Sequence, residues 1–470
     1  MADAYDLVVL GGGSGGLTAA RFAAALGMRI AIVEKRRMGG DCTWTGCVPS
    51  KALLRAARVA QEVRDAGRYG IRATAPEADM AAVRAYVRAA IDRVYRHETP
   101  EQLEQEGVAV LPGTARFEDP HTVAVGDRIV RSRAFLISTG AGPFVPPVPG
   151  LDRVPFVTYE QIFDADSLPA ALVVMGGGPI GLEMAQAYRR LGSEVTIVTD
   201  RLLPREDAEA CSILQAALQR EGVRMLWGLA VSVHAEGETI VVRTDRGDAR
   251  GDRLLVAVGR RPTVNGLDLD RAGVRHSGAG IPVDTRLRSN VRHIYAAGDV
   301  TGGPQFTHLA AWQGFQAARN ALLPGHRSGL ASLVPRVTFT DPEIAHVGAS
   351  EAEARAAHGG AVRVERWPLA RTDRAVCEGD EHGFFRFVTR ADGTLLGATV
   401  VARHAGDVIG ELGLAIARRL KMADLAGVIH AYPTYSTAVQ QLASTAALDA
   451  LLAGASGRVV RALARIVRAV

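Results

Sequence analysis

Residues 5–16 read YDLVVLGGGSGG, and this stretch decides the fold. Leu7-Val8-Val9-Leu10 is a short apolar run of the kind buried on both faces of a parallel sheet. Gly11, Gly13 and Gly16 follow it as G-x-G-x-x-G. The first glycine permits the tight turn, the second lets the backbone approach a pyrophosphate, and the third lets helix pack on strand. A helix is expected over 15–26 and a second strand over 29–33, closed by Glu34, which is placed to hydrogen-bond a ribose hydroxyl. The same grammar returns downstream: Leu172–Met175 as strand, Gly176, Gly178 and Gly181 as turn, and a helix over 181–191. Two such units imply two dinucleotides, most simply FAD and a nicotinamide. The expected class is therefore α/β, with two Rossmann-like dinucleotide-binding domains, and the expected chemistry is redox, since such cofactors carry electrons.

Just past the first unit lies GGDCTWTGCVPSK, residues 39–51, with Cys42 and Cys47 five apart in a chain of four cysteines. Five residues of straight helix advance about 7.5 Å, beyond the roughly 4.4–6.8 Å between the Cα atoms of a disulfide. Cys42 is therefore expected in an irregular segment, with a helix beginning near Pro49, a residue suited to a first helical position. Cys47 would then sit at a helix N-terminus, where the dipole favours thiolate. The pair reads as a redox dithiol beside a flavin. Asp41 is unexpected there, because a carboxylate raises a neighbouring thiol pKa; it reads equally as a solvated turn residue or a tuning group. Trp44 reads as packing rather than as a substrate entrance.

Composition fits an enzyme of about three domains by length. The 470 residues are 48% hydrophobic, and the formal charge is only +5 with acids and bases interspersed, so no nucleic-acid footprint is expected. Basic residues are nearly all arginine; Lys35, Lys51 and Lys421 are the lysines. No run of roughly eighteen apolar residues suggests a membrane span. The first strand begins too early for a signal peptide, so the expected location is cytoplasmic, where a cysteine pair is more often catalytic than structural. No metal site is expected. The expected division is 1–150 and 277–334 for an interrupted FAD-binding domain, 151–276 for the NAD(P) domain, and 335–470 for a C-terminal α+β domain. A long helical stretch is expected over 80–106, and Cys211 and Cys377 are expected as buried thiols.

These motifs resemble the FAD-dependent pyridine nucleotide–disulfide oxidoreductases, whose members include dihydrolipoamide dehydrogenase, glutathione reductase and mercuric reductase. The resemblance runs along nearly the whole chain, through GGGSGG, GGDCTWTGCVPSK, STGAGPFVPPVPG, GGGPIGLE, VAVGRRP, IYAAGDV and TFTDPEIAHVG in order. It implies a homodimer formed through the C-terminal domain. Cys42 would be the outer thiol that attacks the acceptor and Cys47 the inner thiol facing the flavin. Lys51 and Glu183 would pair beside the flavin, Thr139, Gly140, Gly259 and Gly298 would line the cofactor sites, and Asp299 would bind the FAD ribityl or pyrophosphate region.

The departures narrow the choice of acceptor. Disulfide reductases similar to this chain carry His-Pro and a later Glu near the C-terminus, whereas here Tyr432 and Thr437 stand in those places. A tyrosine is not a near-neutral base, and His430 is the expected substitute if any group serves. The resemblance then leans to mercuric reductase, with a disulfide or a thiophilic metal ion such as Hg(II) as acceptor, although that enzyme's C-terminal cysteine pair is missing. A dihydrolipoamide dehydrogenase with an altered base and a low-turnover flavin redox sensor are the other readings. For the nicotinamide, Asp200 favours NADH while Arg201 and Arg205 favour NADPH; the balance leans to NADPH because Thr199 occupies the usual acidic position. Finally, Arg458, Arg461, Arg465 and Arg468 alternate with apolar residues at helical spacing, and this segment is expected to pack on the body or a partner subunit rather than lie on a membrane surface.

Overall fold

A computed structural model describes residues 3–468; Ala469 and Val470, the end of the basic segment, lie outside the described residues. The chain divides into two compact units, residues 1–201 with 221–332, and residues 202–220 with 333–470.

The first unit is built on the opening strand. Asp3–Leu10 lies between Ile30–Glu34 and Arg128–Ile137, parallel to both, with Val108–Pro112 beyond and Ile294–Ala296 added parallel to Arg128–Ile137. Leu7, Val8, Val9 and Leu10 are at most 1% exposed. Successive side chains alternate between faces, so Leu7 and Val9 pack with Leu17, Ala20 and Ile32, whereas Val8 and Leu10 pack with Val33, Phe135 and Ile137. Helix Ser14–Ala25 supplies the first of these layers.

The second fingerprint heads a four-stranded parallel sheet in the order Arg224–Trp227, Glu194–Thr199, Ala171–Met175, Arg253–Val256. Its helix spans Pro179–Leu191, with Pro179 in the first turn, where its missing N–H costs nothing. A three-stranded antiparallel sheet over 230–251 lies beside the same unit's core. The architecture is α/β with two dinucleotide-binding folds, as the glycines predict.

The second unit carries a five-stranded antiparallel sheet, ordered Arg336–Thr338, Glu343–Gly348, Leu395–Ala402, Phe384–Arg390, Val362–Pro368. Phe385, Phe387, Val400 and Leu412 pack in its core. Helix Ala208–Arg220 belongs to this unit. At its start, Arg336 meets Glu206 at 2.5 Å, and Arg386 pairs with both Asp207 and Glu209.

Several local expectations need correction. The stretch 80–106 is two helices, Met80–Tyr95 and Pro100–Gln105, because Thr99 caps the second by accepting from the Gln102 N–H and Pro100 cannot continue the first. The basic segment does form a helix, Gly454–Arg468, which meets the preceding helix through Arg461 and the Leu452 carbonyl at 3.2 Å, but its own unit leaves its apolar side open: Val459, Leu463, Ile466 and Val467 are 57–77% exposed. Cys377 is exposed rather than buried, on the short helix Asp373–Glu378. Cys211 is half-buried, its sulfur 3.6 Å from the Leu202 carbonyl, and burial pushes its thiol up to about 11.

Candidate redox site

Cys42 is not in an irregular segment. It sits on a five-residue helix, Gly40–Trp44, and a second helix begins at Cys47 itself and runs to Asp65. The break that five-residue spacing demands falls at Thr45-Gly46, where Gly46 adopts φ −120°, ψ −110°. The short helix is fixed against the first fingerprint. Gly39 N–H donates to the Gly12 carbonyl at 2.8 Å, and a Cβ on Gly40 would come within 2.8 Å of the Gly13 Cα. The dithiol loop and the dinucleotide turn are thus one assembly.

Cys42 and Cys47 are free thiols that interact with each other. The neighbouring Cys47 sulfur holds the Cys42 proton well above the ordinary thiol range, with burial adding to the effect. The same interaction draws Cys47 down to about 6 against its burial, helped by the Thr307 hydroxyl at 3.4 Å and by the Lys51 charge. One proton therefore resides on Cys42 while Cys47 is the thiolate. Lys51 lies one helical turn after Cys47, and its ammonium meets the Glu183 carboxylate at 2.8 Å. Glu183 is 5% exposed, so it is no solvated helix residue; it ties the second fingerprint's helix to the redox helix.

Asp41 is no freely solvated turn residue. Its Oδ2 accepts from Arg260 Nη2 at 2.7 Å and from the Tyr159 hydroxyl at 3.0 Å. Arg260 Nη1 reaches Asp299 at 2.6 Å, Nη2 also donates to the Ala141 carbonyl at 2.9 Å, and Nε donates to Tyr159 at 3.2 Å. One guanidinium so joins the redox loop, the Gly298-Asp299 turn and two further segments. Burial would lower the Arg260 pKa, but Asp299, Tyr159 and Asp41 hold it above its usual value; burial raises that of Asp299. Arg260 lies inside VAVGRRP, yet nothing in that spacing shows that it bridges two distant carboxylates. Thr307 carried no sequence signal at all. Trp44 is a packing residue: its indole N–H donates to the Met38 carbonyl at 2.7 Å, and its ring stands edge-on to Tyr95.

Both glycine turns are shaped for a dinucleotide. Gly11 has φ +112°, and a Cβ there would lie 2.3 Å from the Ser138 carbonyl; Gly176 has φ +117° and would meet Ala257 at 2.4 Å. A Cβ on Gly16 or Gly181 would strike the carbonyl of Gly11 or Gly176 within 2.3 Å, so only glycine lets these helices pack so close. Gly13 and Gly178, by contrast, face open space at their helix N-termini: a Cβ would find no neighbour nearer than 3.9 Å at Gly13 and none within 4 Å at Gly178. There an anionic pyrophosphate would meet backbone N–H groups and the positive dipole end. Glu34 Oε2 accepts from Gly12 N–H at 2.7 Å and Oε1 from Arg36 N–H at 2.7 Å, which fixes the carboxylate at the strand end. Gly140 and Gly259 take positive φ at strand ends, and Thr139 donates to the Thr263 carbonyl at 2.7 Å. Gly298 N–H donates to Gln313 at 2.8 Å.

At the second turn Thr199 is 5% exposed and its hydroxyl donates to the Arg201 carbonyl at 2.8 Å. Asp200 pairs with Arg201 at 3.3 Å, both exposed. Arg205 is exposed in the other unit. His430 and Tyr432 also belong to that unit. His430 is engaged at both nitrogens, by Glu411 at 2.7 Å and the Val428 carbonyl at 3.1 Å. Tyr432 donates to Asp373 at 2.5 Å, which raises its pKa further from neutrality. Among the described residues no group of three or more His, Cys, Asp or Glu is placed to hold a metal ion, and no helix is long and apolar enough to cross a membrane.

Comparison with known proteins follows the same divisions. The family described as pyridine nucleotide-disulphide oxidoreductase matches residues 5–314, and its dimerisation domain matches residues 334–443. The chain is 36% identical over 458 residues to a mercuric reductase of Acidithiobacillus ferrooxidans, covering 94% of this chain and 83% of that protein. It is 35% identical over 457 residues to a dihydrolipoyl dehydrogenase of Thermus scotoductus, covering 93% and 96%. Among solved structures, LpdA of Mycobacterium tuberculosis superposes with a TM-score of 0.86 at 30% identity over 94% of this chain and 99% of that one. A Cu(II) complex of the HOCl-induced flavoprotein disulfide reductase RclA of Escherichia coli superposes with a TM-score of 0.84 at 27% identity, covering 93% and 99%.

Proposed function

The chain belongs to the pyridine nucleotide-disulphide oxidoreductase family, and we propose that within it this enzyme passes electrons from NADPH through the Cys42–Cys47 dithiol to a thiophilic metal ion such as Hg(II), as a homodimer. The family is FAD-dependent and uses NAD(P)H; when bound, the flavin would supply the two-electron link between nicotinamide and dithiol. Gly11, Gly13, Gly16 and Glu34 hold its pyrophosphate and ribose, Gly176, Gly178 and Gly181 hold the nicotinamide dinucleotide, and the Lys51–Glu183 pair fixes a cation next to Cys47.

One observation carries the choice of acceptor. The pair's proton is held high on Cys42, and the residue in the family's base position is a tyrosine whose pKa is raised further by Asp373. A disulfide acceptor requires Cys42 thiolate to attack sulfur, a mixed disulfide to form, and Cys47 thiolate to close the internal disulfide while the second thiol leaves. The first of these steps stalls without a base. A thiophilic cation needs none, because coordination itself deprotonates a thiol. Both sulfurs then serve as ligands, and reduction of the metal by two electrons would close Cys42 and Cys47 to the disulfide, which the bound cofactors would reopen. Mercuric reductases at 36–37% identity and the Cu(II) complex of a structural relative support the reading.

The nicotinamide choice rests on Thr199, whose hydroxyl is turned to its own loop, and on Asp200, which is engaged by Arg201. The exposed Arg201 guanidinium would exchange that carboxylate for a 2′-phosphate.

The test is anaerobic nicotinamide oxidation with thiol-complexed Hg(II), lipoamide or glutathione disulfide supplied separately, each with NADPH and NADH. Rapid turnover with Hg(II), and the lower KM for NADPH, is expected. Rapid turnover with lipoamide and none with Hg(II) would overturn the proposal and favour dihydrolipoamide chemistry with a replaced base.

A further inference from the structure

The helix Gly454–Arg468 lies past the residues matched by the dimerisation domain, which end at 443. At 100° per residue, Val459, Val460, Leu463, Ile466 and Val467 share an arc of about 120°, and Arg458, Arg461, Arg465 and Arg468 an arc of about 80° centred on the opposite side. No Asp or Glu occurs in 454–468. The apolar arc is open to water: Val459 is 59% exposed, Leu463 57%, Ile466 61% and Val467 77%. Leu448 and Leu451 on the preceding helix, Thr437–Leu452, are about half exposed rather than buried, so this unit does not cover the strip.

We propose that this helix is an interfacial anchor, lying flat on an anionic phospholipid surface with its valine, leucine and isoleucine arc among the acyl chains and its arginines above, among the headgroups. Three observations single out that occupant. A helix with four arginines and no acid complements a negatively charged surface, whereas a second copy of the helix brings four more arginines and no carboxylate. The exposed strip distinguishes a bilayer from nucleic acid, whose phosphates would use the arginines and leave the aliphatic side chains in water. The short helix and its single arc place it on the membrane rather than across it. Arginine stems can bend about the helix and keep the guanidinium at the headgroup level while the apolar arc is buried. The consequence is a redox enzyme held reversibly at a membrane face, with its dithiol delivered to acceptors arriving there.

The full FAD-loaded chain is centrifuged with vesicles of phosphatidylcholine alone and of phosphatidylcholine with phosphatidylglycerol. Binding to the anionic vesicles tighter by about tenfold or more is expected, weakening as salt is raised. Leu463→Glu should abolish it, and Arg465→Gln with Arg468→Gln should weaken it; all three side chains are exposed, so bound flavin reports that the fold is intact. Equal binding to both vesicles, no binding to either, or binding that survives Leu463→Glu would overturn the proposal. So would a Leu463→Glu protein of half the native mass in solution, which would assign the strip to a second copy.

Discussion

Arg260 ties the loop bearing Cys42 to the turn bearing Asp299. Its three nitrogens meet Asp41, Asp299, Tyr159 and a backbone carbonyl, so the loop bearing Cys42 and the turn bearing Asp299 are registered through one rigid, planar group. A lysine could satisfy one carboxylate but not both. Arg260→Leu leaves Asp299, 12% exposed at its side chain, without its cation, and removal of one partner from such a pair costs about 3 kcal/mol. The sign with pH follows. In the variant the Asp299 carboxylate, whose pKa burial already raises, loses the cation that opposes that rise. Its pKa then stands above the unfolded value, so stability is retained below the unfolded pKa and lost as pH rises through the raised one. Urea unfolding should therefore show a deficit near neutrality that narrows at about pH 5; a deficit independent of pH would show that the guanidinium acts by packing alone. At this scale the sequence is partly legible. Cys42, Cys47, Lys51, Glu183 and Asp299 are readable because chemistry fixes their spacing or their place in a motif. Arg260 with Asp41, and Thr307 with Cys47, are not, because each contact joins segments far apart in the chain and leaves no periodic trace.

At the scale of elements, the start of the helix at Cys47 rather than near Pro49 has a chemical consequence. The sulfur sits in the first turn, at the positive end of the dipole, with Lys51 one turn on and Cys42 beside it. Cys47 should be thiolate above about pH 6 and thiol below it. Thiolate ultraviolet absorbance of the reduced enzyme should accordingly show one step near 6, absent in Cys47→Ser; a single step near the ordinary thiol value of about 8.5 would contradict the pairing. The parallel strands and their glycine turns are plain in the sequence, since Leu7–Leu10 and Leu172–Met175 are continuous apolar runs closed by glycine. The break at Thr99-Pro100 carried a readable cap signal within an otherwise helical stretch. The short helix holding Cys42 did not: five residues are too few for periodicity to register, and tertiary contact with Gly12 and Gly13 holds it in place.

The whole molecule is a flavoenzyme frame in two units; Cys42, Cys47, Lys51 and Glu183 come together in the first, and the proposed acceptor rests on the lack of a near-neutral base at Tyr432. That lack is legible as Tyr432 and Thr437; that His430 is held at both nitrogens, by Glu411 and the Val428 carbonyl, is not, because its partner lies 19 residues away on another helix. The exposure of the basic helix was likewise unreadable, since an amphipathic pattern names a face without naming what covers it. The central claim is that electrons reach the acceptor through the dithiol rather than directly from the flavin. The most direct measurement is NADPH-driven reduction of thiol-complexed Hg(II) by Cys47→Ser, with bound flavin checked by its absorbance. Metal reduction is expected to fall to the enzyme-free rate while flavin content and its reduction by NADPH persist; undiminished metal reduction in that variant would mean that the dithiol is not on the electron path.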